Sequence, residues 1–287
     1  MTGELYLSGL VAAVSLLFVN TYPDPTLQEQ GSDDAWFVAR VRPAKGVVVV
    51  VHGLNNKPEI MDPLIEALNT RGLHARRVAL AGHGSAMGNH SGNLDQLWLQ
   101  DISSAYHECA ERYPDLPVFL LGYSLGALTA VRFLDENPGA FERMVLYAPA
   151  IRLRWRTRLL RPLRPLARFR LSLPSLAPKE QRVRDWTPLA AYAAMFRLSD
   201  AVQKIDHRAR IGATPTRVLL SRRDELVSYR GLERWIEENE LHRWQLFAAD
   251  VPTQAKNKHL LVVPSAVGTD AWKQVTDQLE LFSASSP

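Results

Sequence analysis

Three residue types in this chain have the spacing for acyl-transfer chemistry: a serine on a glycine-flanked turn, a later carboxylate and a later histidine. The serine is Ser124, in Gly122-Tyr123-Ser124-Leu125-Gly126. Three fixed residues in five occur by chance, so the flanks decide. An apolar run, PVFLLG, leads into the turn, and LGALTAVRFL leaves it with helical spacing. A serine on so sharp a strand-to-helix turn adopts a strained backbone, and glycines on both sides leave room for it. The helix then starts at the hydroxyl, where its first amides favour a developing oxyanion. The alternative is a serine that merely caps a helix. The strand before and the paired glycines favour the nucleophile.

A serine hydroxyl is a weak nucleophile until a base takes its proton. In strand–turn–helix sites of this kind the chain order is serine, acid, histidine. Three histidines follow Ser124: His207, His242 and His259. His207 lies in a linking stretch before a strand. His242 sits just before the strand RWQLF, at its wrong end. His259 comes after that strand, beyond its carboxyl end, where ligands bind in α/β sheets. It is the expected base. The expected acid is Asp224, in the loop SRRDELVS after the strand TRVLL. Asp250 is the second choice, Glu225 competes from the next position, and Asp206 precedes its strand. The oxyanion needs two amides. The natural pair is Leu125 with Leu54, the latter in His52-Gly53-Leu54 directly after VVVVV. Each such donor is worth about 3–4 kcal/mol in the transition state. His52, upstream of the nucleophile, is read as a brace for its loop.

These positions need elements to hold them. Val47 to Val51 is a continuous β-branched run, which marks a strand covered on both faces. Further strands are read at Val38–Val41, Arg77–Leu80, Pro117–Gly122, Met144–Ala148, Thr216–Leu220 and Arg243–Phe247. Helices are read from Ile60 to Leu68, Leu94 to Tyr113, Ser124 to Leu134, Pro188 to Gln203, Arg230 to Asn239 and Thr269 to Phe282. The alternation predicts a parallel sheet with helices on both faces. The rhythm breaks between Pro149 and Pro188, read as a strandless insertion.

Composition adds limits. Hydrophobic residues make up 46% and charged residues 22% of the 287, an ordinary soluble balance. The net charge of +4 has one source. Arg152, Arg154, Arg156, Arg158, Arg161, Arg164, Arg168 and Arg170 stand together with no acid among them. Without these eight, 26 basic residues face 30 acidic ones. That argues against a nucleic-acid partner. The stretch reads as two helices broken at Pro162 and Pro165. It fits either an anionic membrane surface or a solvated element whose arginines pair with acids elsewhere. Cys109 falls on an apolar helical face and reads as a core thiol. Leu5 to Val19 is apolar but short for a membrane span. A membrane-directing segment and a buried element both remain open for it. Membrane association through residues 1–30, or otherwise a cytoplasmic location, is therefore the expectation.

Together, His52-Gly53 after its strand, Leu80-Ala81-Gly82-His83-Gly84, the Ser124 pentapeptide, Asp224-Glu225-Leu226-Val227 and the late His259 resemble the α/β-hydrolases. The likeness is closest to the monoacylglycerol lipase and lysophospholipase, serine aminopeptidase-like, branch, over roughly Val47 to Phe282. It implies an α/β fold with a mostly parallel eight-stranded sheet and a core of 31–150 and 187–287. The insertion, 151–186, would be a lid. It also implies hydrolysis of a small-molecule or lipid ester through an acyl-enzyme, with no metal and no cofactor. His52-Gly53-Leu54-Asn55-Asn56 departs from the continuation usual in the lipase branch. A peptidase or amidase on the same residues is the alternative enzyme. A non-catalytic binding protein of this fold is the alternative class.

Overall fold

The computed structural model describes residues 34–83, 93–169, 171–204 and 207–283. The apolar N-terminal stretch lies outside them, as do residues 84–92. Val47 to Val51 are all fully buried in strand β2, Gly46–Val51. Successive side chains of a strand point to opposite faces, so both faces of the sheet are covered. Around β2 run β1 (Ala35–Phe37), β3 (Leu73–Val78), β4 (Val118–Tyr123), β5 (Met144–Tyr147), β8 (Thr216–Ser221) and β9 (Trp244–Ala249). Their order in the sheet is β1-β3-β2-β4-β5-β8-β9. Every pairing is parallel except that of β1 with β3. Two further short strands, β6 (Ser172–Pro174) and β7 (Trp186–Pro188), pair with each other inside the insertion.

Helices α1 (Asp62–Asn69), α2 (Leu94–Arg112), α3 (Leu125–Glu136), α4 (Leu189–Val202), α5 (Tyr229–Glu238) and α6 (Thr269–Asp277) connect and cover these strands. On α2 the buried stripe is Leu94, Trp98, Ile102, Ala105 and Cys109. This is the i, i+3/i+4 face that helical periodicity requires. Burial pushes the Cys109 thiol up to about 12, so it stays protonated.

Several expectations are corrected. The described sheet has seven strands where eight were implied. Val38–Val41 is not a strand, and Val38 and Val41 are largely exposed; pairing stops at Phe37. The third strand runs over Leu73–Val78 and not Arg77–Leu80. Its Arg76 and Arg77 are buried yet neutralised, Arg76 by Asp34 and Glu108, Arg77 by Glu59 and Asp62. The insertion is not strandless, since β6 and β7 close it. The last helix ends at Asp277 and tightens to a 3-10 coil over Gln278–Ser283. Among the described residues no helix is long and apolar enough to cross a membrane.

Candidate active site

Ser124 joins β4 to α3 with φ 51° and ψ −108°. This left-handed backbone is costly for a residue with a Cβ and persists only when the surroundings fix it. Here they do. The Ser124 amide donates to the Tyr147 carbonyl on β5, and the Ser124 carbonyl accepts from Leu128 and Ala150. A Cβ on Gly126 would lie 2.5 Å from the His52 carbonyl oxygen and 2.6 Å from that of Val51. One on Gly122 would lie 2.7 Å from the Ala127 Cα. Only glycines permit so close a crossing of α3 over β2 and β4.

Asp224 and His259 arrive from the carboxyl ends of β8 and β9. Asp224 is fully buried, and its Oδ1 accepts the Leu226 and Val227 amides, each at 2.8 Å. These bonds lock the side chain against its own loop. The other oxygen, Oδ2, stands 2.7 Å from His259 Nδ1. His259 Nε2 stands 2.9 Å from Ser124 Oγ. With Nδ1–H donating to the carboxylate, Nε2 carries the lone pair and accepts the hydroxyl proton. The sequence-derived serine, acid and histidine are thus brought into one hydrogen-bonded line. The competitors are not. His242 is exposed at the opposite end of β9, and Asp250 pairs with Gln274. Asp206 and the His207 side chain lie outside the described residues.

Leu125 is the first residue of α3 and Leu54 lies in the loop after β2; the two segments meet where the Gly126 amide donates to the His52 carbonyl at 3.1 Å. Among the described residues neither amide has a hydrogen-bond partner. The β2 loop is held from below by His52. Its Nδ1 donates to the Gly53 carbonyl at 2.8 Å, and its Nε2 accepts the Leu80 amide at 3.1 Å. Burial, with the neighbouring His83 second, lowers its pKa to about 3. It therefore stays neutral and keeps both bonds. His83, 5.0 Å away ring to ring, is lowered to about 4, again by burial. The Ala81 amide donates to Asp101, which burial raises to about 6.

Two residues at this site carry contacts that sequence reasoning missed. Asn55 has φ 54°, and its Nδ2 reaches Ser175 Oγ, the Arg184 carbonyl and Thr187 Oγ1 at 2.8–3.1 Å. Asn56 forms a bridge with Arg182. The insertion is therefore tied directly to the loop that carries Leu54. The only available signal was the asparagine itself, a residue enriched at positive φ. The second is Glu225, whose carboxylate accepts the backbone amides of Lys258 and His259. Beside Ser124 opens a cavity of about 70 Å³, lined by Leu54, Leu153, Leu176, Met195 and Leu260 among others. It is mostly apolar and contains no group of metal-ligating residues among those described.

A mostly parallel sheet with the serine on a sharp turn after its central strand is the α/β-hydrolase fold. Residues 42–247 match the serine aminopeptidase S33 family, and the chain belongs to that family. The human monoglyceride lipase is 31% identical over 108 residues, which are 37% of this chain and 36% of that one. The monoacylglycerol lipase of Mycolicibacterium smegmatis is 28% identical over 109 residues, 37% and 39% of the two chains. The matched stretch thus spans little more than a third of these relatives. In three dimensions the chain is similar to a soluble variant of monoglyceride lipase from Saccharomyces cerevisiae. The TM-score is 0.71 at 13% identity, over 91% of this chain and 96% of the other. It is also similar to the Paleococcus ferrophilus monoacylglycerol lipase, with TM-score 0.62 at 22% identity over 76% and 88%.

Proposed function

We propose that the chain hydrolyses carboxylic esters of a lipid-like kind, of monoacylglycerol or lysophospholipid type, through an acyl-enzyme on Ser124. The observation that carries this is the line Ser124–His259–Asp224, with contacts of 2.9 and 2.7 Å. Ser124 Oγ attacks the ester carbonyl as His259 Nε2 takes its proton. The Leu54 and Leu125 amides receive the oxyanion, and Asp224 stabilises the imidazolium. Collapse expels the alcohol, protonated by His259. A water activated by the same nitrogen then releases the acid. The mostly apolar cavity supports an acyl chain over a charged substrate, as do the relatives named for lipases. Its volume admits only a short acyl group, since a single water needs about 10–15 Å³. Leu153, Thr157, Ser175, Leu176, Ala177 and Pro178 border the cavity, which is the sense in which residues 151–186 are a lid. A fluorophosphonate probe should label the wild type and not Ser124→Ala. Absence of labelling in the wild type would end this reading.

Amide cleavage by the same residues is the second reading, and the family's own description as serine aminopeptidases favours it. An amino-acid anilide hydrolysed faster than an acyl ester would select it.

The reading extends to a partner surface. Arg161 and Arg164 pair with Asp200. Arg156, Arg158 and Arg168, by contrast, have no acidic partner among the described residues, and they are exposed alongside Trp155, Leu159, Phe169 and Leu176. Cations interleaved with exposed aromatics suit an anionic lipid surface, at about 1 kcal/mol per basic residue. Vesicle binding indifferent to anionic lipid content and to salt would remove this extension.

A further inference from the structure

His259 does not sit on a strand or a helix. It lies ten residues beyond the end of β9, in a stretch without regular structure that lasts until a short helical turn at Pro264–Val267. The ring is aimed by Asp224 and Ser124, but a ring can be aimed only if its backbone is fixed. Within this stretch the backbone bonds are short-range, Ala255 to the Pro252 carbonyl and Leu261 to the His259 carbonyl, with the Lys258 ammonium on the Ala255 carbonyl; Thr253 Oγ1 accepts from Arg223. The amides of Lys258 and His259 both reach outside it, to one acceptor. Lys258 N–H lies 2.9 and 3.1 Å from Glu225 Oε1 and Oε2, and His259 N–H lies 3.0 Å from Oε2.

Resting on the triad reading above, we propose that Glu225 is the positioning residue for the base, fixing the His259 backbone while Asp224 fixes its ring. The two adjacent carboxylates divide the work by direction. Asp224 turns inward, is fully buried, and meets the imidazole. Glu225 turns outward, is exposed, and spans from the β8 loop to the β9 loop. The Asp224 Oδ1 bonds to Leu226 and Val227 make this loop stiff, so the second carboxylate has a firm base from which to hold the first amides it meets. A carboxylate accepting backbone N–H groups forms charge-assisted bonds, stronger than neutral ones. Loss of the clamp leaves the histidine free to swing with its loop. A displacement of about 1 Å from the reacting geometry costs on the order of 100-fold in rate.

The test compares wild type, Glu225→Ala and Glu225→Gln in the full chain. The readouts are kcat and KM for p-nitrophenyl butyrate, fluorophosphonate labelling rate, and the downfield proton resonance of His259 Nδ1–H. Glu225→Ala should lower kcat and the labelling rate by about 10- to 100-fold with KM unchanged within about threefold. It should also shift or broaden the His259 resonance. Glu225→Gln keeps an acceptor oxygen and should return kcat to within several-fold of wild type. The Tm should fall by no more than a few degrees in either variant, because the side chain is exposed and only its bonds to two amides are lost. An alanine variant with kcat and resonance unchanged would overturn the proposal, as would a glutamine variant no better than alanine. A wild type that is not labelled at all would instead count against the triad reading. The His259 resonance still reports the clamp in that case.

Discussion

The close crossing of α3 over the end of β2 makes Gly126→Ala a quantitative probe of the proposed oxyanion site. The added Cβ would stand 2.5 Å from the His52 carbonyl oxygen, 2.6 Å from that of Val51 and 2.8 Å from the Val51 carbonyl carbon. An ordinary contact begins near 3.4 Å, so the two backbones must part by roughly 0.9 Å. All three obstacles are backbone atoms, which cannot rotate away. The separated segments are the ones that carry the Leu125 and Leu54 amides. One misplaced donor costs about 100- to 1,000-fold in kcat. The overpacking itself costs about 1–3 kcal/mol, which for a chain of this size lowers Tm by roughly 2–10 °C. The assay is kcat/KM on p-nitrophenyl butyrate, with thermal unfolding alongside. Gly139→Ala is the control. It forces a Cβ onto φ 84° with nothing within 4 Å, so it should lose stability but not rate. A folded Gly126→Ala enzyme with kcat/KM within threefold of wild type would show that the donors are not where they are placed.

Other expectations are more compact. His259→Ala should remove nearly all turnover while His242→Ala leaves it intact, measured on the same ester; the reverse result would reassign the base. Asn55→Ala removes three polar contacts to the insertion and should cost about 1–3 kcal/mol in urea unfolding, together with a fall in kcat. For acid stability, His52 and His83 stay neutral in the folded chain to about 3 and about 4, while the unfolded chain takes up both protons near 6.5. Stability is therefore lost as pH falls below about 6.5. Asp101, raised from 3.8 to about 6, opposes this by taking a proton first in the folded chain. Between pH 6 and 4 these three groups together should cost about 1.4 kcal/mol per pH unit, His74, also lowered by burial, adds to the loss, and Asp101→Asn should steepen it by about as much again. An unchanged slope in that variant would refute the assignment.

What was legible in the sequence follows from locality. Val47–Val51 announces a doubly covered strand by itself, and Ser124 is recognisable because strand, turn and helix are contiguous. Asp224 and His259 could be chosen because each follows an apolar run and so lies beyond a strand's carboxyl end. β3 was misplaced because Arg76 and Arg77 look unburiable until Asp34, Glu59, Asp62 and Glu108 are brought to them. The strands of the insertion were hidden because Leu171–Pro178 contains two prolines, and β6 pairs only with a segment a dozen residues later. Asn55 and Glu225 were invisible in their actual roles for a stronger reason. Their partners are backbone groups and hydroxyls far along the chain, which residue type does not advertise.

The bonds from Asn55 into the insertion have a thermodynamic consequence. They make residues 175–187 and the Leu54 loop, the proposed oxyanion loop, one coupled system. Whatever free energy docking of the insertion lends to the Leu54 loop, an occupied oxyanion site must return to the insertion in equal measure. A tetrahedral boronate on Ser124 should therefore protect the amides of 179–186, which do not line the cavity, from hydrogen exchange. Asn55→Ala should erase that protection. The enzyme would then admit substrate and hold its transition state in opposed conformations, and turnover would be bounded by the rate at which the insertion exchanges between them.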